Sequence, residues 1–310
     1  MSVMRSLLLA GSENRWLRTT APRVWFVRRA VTRFMPGETI DEALPAARAQ
    51  QQLGIGTVFT LLGESLVDPT EADAVRQHYL DVLDRVQQGG LDAEISVKPT
   101  QLGLDFSREA CDAHLFALAE RADALGNWLW IDMESTAYTD VTLDMYVKLR
   151  ERFPHVGLCV QAYLFRTDDD LKRLIAIGGS VRLVKGAYRE PPTLAYAAKR
   201  DVDEAYFRHA MMLVSPEARE RGVRAIFGTH DPVLIRRITE AGAAAGVPKP
   251  RLEFQMLYGI QRGEQQRLAE AGYPFRVLIA YGHAWFAWYM RRLAERPANV
   301  LFVVKNLFSR

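Results

Sequence analysis

The 310-residue sequence predicts an α/β protein: a TIM-like (β/α)8 barrel behind an N-terminal helical extension. Three observations predict it. From Gly56 onward, short β-branched or aromatic runs alternate with longer segments of helical period, the pattern of βα units on a parallel sheet. There are eight such runs, the number that closes a barrel. No connecting segment is rich in Pro, Gly or Ser, so nothing marks a linker. Residues 1–55 are read as the extension and residues 56–310 as the barrel domain.

In chain order the predicted strands are residues 57–62, 93–97, 128–133, 156–163, 181–185, 223–227, 251–257 and 275–280. Each is bounded by a segment long enough for a helix that crosses back over the sheet. An open dinucleotide-binding sheet would need G-x-G-x-x-G between a strand and a helix. Gly54 and Gly56 precede the first strand and lack the third glycine.

Composition narrows the function classes. With 49% hydrophobic and 25% charged residues the chain has ample material for a core. A formal charge of +3 makes no electrostatic case for nucleic acid as a partner. Cys111 and Cys159 form no CxxC spacing, so neither a disulfide framework nor a metal knuckle is expected, and a reducing, cytoplasmic compartment fits. No metal site is expected. The first 37 residues hold seven arginines against one acid, Glu13, together with Trp16, Trp25 and Phe26. That segment reads either as an amphipathic helix packed on the barrel or as a peripheral membrane contact. No apolar run is long enough to span a bilayer.

Parallel barrels place chemistry at the C-terminal ends of their strands, and here nearly every end carries polar residues. The ends offer Glu64; Lys98; Asp132 and Glu134; Gln161 and Tyr163; Arg182, Lys185 and Tyr188; Thr229 and His230; Gln255; and Tyr281 and His283. The side-chain period of two puts Arg182, Val184 and Gly186 on one face and Lys185 on the other. An inward Arg182 requires either a carboxylate partner or a ligand phosphate or flavin. In the last predicted helix Trp288, Arg291, Arg292 and Glu295 share one face. That face suits a zwitterion, with the guanidiniums for its carboxylate and an acid near its ammonium; a solvated charged face is the competing account. H-E-x-x-H, G-x-S-x-G and P-loop motifs are absent. A Schiff base on Lys98 or Lys185 is the strongest rival chemistry.

Six segments then carry a resemblance: SVKPTQLGLD from Ser96, VQAYLFRTDDDL from Val160, VRLVKGAYREP from Val181, FGTHD from Phe227, LEFQMLYGI from Leu252 and YMRRLAERPANVLF from Tyr289. Together and in this order they resemble the proline dehydrogenase family, of the bacterial monofunctional type. The resemblance covers residues 56 to the end. It implies a distorted barrel holding FAD at the C-terminal rim, with the eighth helix over the mouth. By motif match Gln161, Arg182, Val184, Lys185, Gly186, Thr229, His230 and Gln255 are the implied flavin contacts. Lys98, Asp132, Tyr188, Leu257, Arg291, Arg292 and Glu295 are the implied substrate residues, the two arginines clamping the substrate carboxylate. The implied reaction is hydride transfer from L-proline to FAD, giving Δ1-pyrroline-5-carboxylate, with electrons passed to a membrane quinone. Glu64 is expected to pair with Lys98. Two departures touch the substrate end: Leu278 and Trp288 stand where the family commonly has tyrosine. Another proline-like cyclic amine is therefore the alternative substrate.

Overall fold

The computed structural model describes residues 31–63, 66, 68–286 and 288–290. Helix α1 (Ile40–Gln51) leads into alternating strands and helices: β1 (Gly56–Leu61), α2 (Thr70–Gln88), β2 (Ala93–Val97), α3 (Arg108–Ala124), β3 (Leu129–Ile131), α4 (Thr139–Arg150), β4 (Val156–Gln161), α5 (Thr167–Ala176) and β5 (Ser180–Val184). There follow α6 (Lys199–Leu213), α7 (Pro216–Glu220), β6 (Ala225–Gly228), α8 (Pro232–Ala244), β7 (Glu253–Leu257), α9 (Arg262–Glu270) and β8 (Phe275–Tyr281). The strands pair in parallel and in sequence order, and β8 closes on β1, making the predicted barrel.

All eight predicted strands are present, and their ends differ for a local reason. β3 is shorter than residues 128–133, yet the Trp128 carbonyl and the Asp132 amide still bond to β2 neighbours, Ile95 and Val97. β4 stops at Gln161, after which the Ala162 and Tyr163 amides still reach the carbonyls of Val184 and Lys185 before the chain turns. Some helix starts are fixed by side chains. Thr39 and Glu42 form a reciprocal cap on α1, and Asp231 accepts from the Val233 amide with Pro232 in the first turn of α8.

The larger core lies between sheet and helices, where alternate strand residues such as Phe59, Ile95, Leu129, Leu183 and Phe227 meet the helices. Val58, Trp130 and Ile226 form a separate small apolar cluster with Leu278 against it. Trp130 is fully buried, and a Cβ on Gly157 of the neighbouring strand would lie 2.2 Å from its ring. Glycine there makes room for the indole. Residues 31–35 pack as part of a third cluster: Val31, Phe34 and Met35 meet Trp285, Phe286, Trp288 and Tyr289. A Cβ on Gly259 would lie 1.8 Å from the Arg33 carbonyl oxygen, so this segment seats on bare backbone.

Candidate active site at the barrel mouth

Arg182 defines the site. It lies on β5, yet its Nη2 donates to Ser96 Oγ on β2 (2.7 Å) and to Asp132 Oδ1 just past β3. Those strands lie two and three places around the barrel, so the contacts pass through its interior, and the inward direction expected from strand period holds. Of the two options left open for this guanidinium, the carboxylate partner is present. Asp132 is shared: Ser96 Oγ donates to Oδ1 (2.8 Å) and Lys98 Nζ to Oδ2 (2.8 Å). Burial alone would raise the Asp132 carboxyl, but Lys98 and Arg182 beside it outweigh burial and hold it below the ordinary range. Burial likewise works against the Lys98 charge, while Asp132 and Tyr188 overcome it and raise the ammonium above its usual value. Lys98 pairs with Asp132; Glu64, expected as its partner, lies outside the described residues.

Above this triad runs a level row. The register aligns Gln161 with Val184, Val184 with Gly228, and Gly228 with Gln255 across β4 to β7. Gly228 lets Val184 pack against the β6 backbone, since a Cβ there would meet the Val184 side chain at 2.9 Å. Among the described residues, Gln161 Oε1, Arg182 Nη1 and both amide atoms of Gln255 are buried and make no hydrogen bond. The group set beside Arg182 is the Cys159 thiol, its register partner and a weak acceptor at best. Four unsatisfied polar atoms at one barrel end would cost about 1–3 kcal/mol each if left so. Donors and acceptors are mixed among them.

The loop after β5 packs closely on the segment that follows β4. Gly186 has φ 117°, and a Cβ on it would strike the Tyr163 ring at 2.2 Å. Glu190 accepts from the Thr136 amide (2.9 Å) and hydroxyl (2.5 Å), tying the loop that carries Tyr188 to the loop after β3. Lys185 points away from Arg182, as period two demands, to Asp203 (2.5 Å) and Asp231 (3.0 Å). Desolvation would raise the Asp231 carboxyl, but Lys185, the Val233 amide and Lys199 bring it down to about 2. Thr229 is buried beside Gln255, whose carbonyl its amide reaches, and His230 Nε2 accepts from the Leu257 amide. Leu257 and Leu278 border the cluster that contains Trp288. Arg291, Arg292 and Glu295 lie outside the described residues.

Two residues at the mouth were not singled out by role. Ser96 sits two positions before Lys98 on the inward face, a signal that strand period would have read. Glu134 is buried and accepts from the Thr100 amide (3.0 Å) and hydroxyl (2.7 Å), which fixes the Pro99–Leu102 turn after Lys98; burial pushes its carboxyl up.

A closed parallel barrel with a largely buried Lys–Asp–Arg triad and unsatisfied polar atoms at its C-terminal end has the architecture of a barrel enzyme, whose class places the active site at that mouth. The proline dehydrogenase profile matches residues 43–305. The chain is 33% identical over 308 residues to proline dehydrogenase 1 of Bacillus subtilis subsp. natto, covering 99% of this chain and 100% of that one. It is 34% identical over 282 residues to the proline dehydrogenase of Deinococcus radiodurans, covering 89% of each. Among solved structures, proline utilization A from Bdellovibrio bacteriovorus, inactivated by N-propargylglycine, superposes with a TM-score of 0.81 at 23% identity. That match covers 94% of this chain and 36% of the other, and it bears on the fold. The chain belongs to the proline dehydrogenase family. It is an oxidoreductase of that family, whose activity is proline oxidation in proline catabolism.

Proposed function

We propose that the protein oxidises L-proline to Δ1-pyrroline-5-carboxylate with FAD held at the barrel mouth, its electrons leaving to a membrane quinone. The observation that carries this reading is the row of buried, unsatisfied atoms on Gln161, Arg182 and Gln255, which fits the mixed donor and acceptor edge of a flavin ring. Val184, packed on the bare backbone of Gly228, gives that ring a floor, and Gly186 seats the loop after β5 against Tyr163. Lys185, Thr229 and His230 complete the set on the β5 and β6 side. When bound, FAD supplies the acceptor for a hydride from the ring carbon beside the substrate nitrogen.

The chain supplies position and charge. Lys98, Asp132 and Tyr188 form the polar wall of the substrate pocket, Leu257, Leu278 and Trp288 its apolar wall. Arg291 and Arg292 fork the substrate carboxylate while Glu295 faces the ammonium, an assignment that rests on the family motif. The rival Schiff-base chemistry needs a neutral lysine amine. Lys98 is instead held as an ammonium by Asp132, which disfavours it as the nucleophile.

The domain division follows: residues 1–55 are an extension and residues 56–310 the catalytic barrel. The basic, aromatic first residues suit a peripheral contact with the inner face of a membrane, where a quinone resides, in an otherwise cytoplasmic protein. Among the described residues no helix is long and apolar enough to cross a membrane, and both cysteines are buried and unbridged.

The test is the purified protein itself. It is expected to be yellow, to release FAD on denaturation, and to reduce a dye with proline. Colourless protein that takes up no FAD, with a lysine adduct trapped by borohydride from a carbonyl substrate, would replace this reading with the lyase. Flavin binding without turnover of any cyclic amine would leave a binding scaffold.

A further inference from the structure

Ser96 is fully buried at the centre of the triad, and its hydroxyl touches two of the three charged groups. It donates to Asp132 Oδ1 and accepts from Arg182 Nη2. The consequence is a count of contacts at Asp132. Oδ2 is taken by Lys98 and Oδ1 by Ser96 together with one nitrogen of Arg182. An arginine facing an unencumbered carboxylate closes on it with two parallel hydrogen bonds. Here it does not. Nη2 is spent on Asp132 and Ser96, and Nη1 is left buried without a hydrogen-bond partner among the described residues.

The backbone at Ser96 is fastened as well. Tyr79, fully buried on α2, donates its hydroxyl to the Ser96 carbonyl (2.9 Å) and accepts from the Leu61 amide (2.8 Å), bracing β2 against β1. Burial pushes that hydroxyl up to about 12, so it stays protonated and donating across the working pH range. A serine held from behind in this way cannot follow Arg182 if the guanidinium turns.

We propose that Ser96 is a positioning residue of this enzyme: its hydroxyl blocks a two-pronged Arg182–Asp132 pair and so keeps Arg182 Nη1 aimed at the ligand row as a free cationic donor. The inference rests on the flavin reading above and adds a role for a residue that acts through Arg182. A cationic donor at a flavin edge favours the electron-rich state of the ring, so Ser96 tunes how readily the bound flavin takes up electrons.

The experiment compares the flavin-loaded protein with Ser96→Ala and Ser96→Thr, measuring the flavin midpoint potential, the steady-state constants for proline and the thermal midpoint. In Ser96→Ala, Arg182 is expected to close on Asp132. A tenfold loss of preference for the reduced flavin then appears as a fall of about 30 mV. kcat should drop about tenfold, with KM for proline changed less than threefold. Ser96→Thr keeps the hydroxyl on a strand that tolerates β-branching and should keep the wild-type potential. An unchanged potential and kcat in Ser96→Ala, with or without a lower thermal midpoint, would reduce Ser96 to a structural role and overturn the inference while leaving the flavin reading intact. A wild-type protein that takes up no flavin would overturn both.

Discussion

The two ends of the barrel interior each bury a charge cluster, and they are built differently. At the N-terminal end Arg224 donates to Glu94 Oε1 (2.7 Å) and to both oxygens of Glu253 (2.9 and 2.8 Å). Arg276 approaches the same two glutamates (3.1 and 3.4 Å) and Asp92 (2.7 Å), and Trp130 Nε1 takes Glu94 Oε2 (2.6 Å). Every carboxylate oxygen of the glutamate pair is used. Among the buried side-chain atoms of this group, Arg224 Nη1 makes no hydrogen bond within the described residues, and its guanidinium lies over the Trp128 ring at 4.4 Å. At the C-terminal mouth the Asp132 carboxylate is fully used, while Arg182 and, in the row above it, Gln161 and Gln255 present unsatisfied atoms. A closed network holds a fold; an open one waits for a ligand. On the proposed reading the same barrel keeps stability at one end and chemistry at the other.

The comparison breaks most visibly at Arg224. Arg224→Met leaves Glu94 and Glu253 buried with less than half their cation contacts, and removing one partner of a buried pair costs about 3–5 kcal/mol. A large fall in denaturation midpoint is expected, with kcat/KM per folded molecule nearly unchanged. Lost activity at intact stability would place function at the wrong end.

Asp132→Asn should do the opposite. It removes the charge that anchors Lys98 and Arg182, and charge-assisted bonds of this kind are worth about 1.5–3 kcal/mol, or about 10- to 100-fold in kcat/KM. The loss should exceed any loss of stability, measured by thermal melting beside dye reduction. Of similar or slightly smaller size, Arg291→Lys and Arg292→Lys should each weaken proline use by about 1.5–3 kcal/mol with flavin content retained. Near-normal kinetics in both would remove the carboxylate clamp from the account.

How far the sequence foretold this contrast depends on distance along the chain. The eight strands were legible because β-branched and aromatic runs alternate with helical segments from Gly56 to Tyr281. The inward aim of Arg182 followed from strand period, and so did the outward aim of Lys185. The partner of Arg182 did not, because Asp132 lies on another strand and only barrel closure brings the two together. The Asp132 partner of Lys98 is hidden from strand order in the same way, since the two lie on different strands. The whole N-terminal cluster went unread, although Glu94, Arg224, Glu253 and Arg276 are charged residues at the starts of otherwise apolar strands. That is where period two places them inside the barrel.

A smaller effect sharpens the picture of the substrate wall. Leu278 contacts the apolar clusters on both sides of it and offers no hydroxyl. A 4-hydroxyl on the substrate would therefore lack a partner at this wall, and apolar pockets reject an added hydroxyl by up to about 100-fold. Wild type should prefer proline to 4-hydroxyproline, and Leu278→Tyr should narrow the gap. Equal or better turnover of 4-hydroxyproline by wild type would show that neither Leu278 nor Trp288 faces the ring.

The smallest effect is one of pH at the outer edge of the mouth. Asp231 is held down to about 2, below an ordinary aspartate at about 3.9, so the folded state favours its charged form. Its contribution to stability is complete above the ordinary value and is lost as pH falls through about 2. Urea midpoints of wild type and Asp231→Asn should differ by a constant amount above about pH 5 and converge toward pH 2. A difference that grows on acidification would have the wrong sign.

The claim that the open end is a flavin and proline site is tested most directly by anaerobic titration of the purified protein with L-proline while its visible spectrum is recorded. The account predicts an oxidised-flavin band that bleaches as proline is added, and that bleaches far less in Asp132→Asn at equal flavin content. A protein with no such band, or a flavin band that proline leaves untouched, would contradict it.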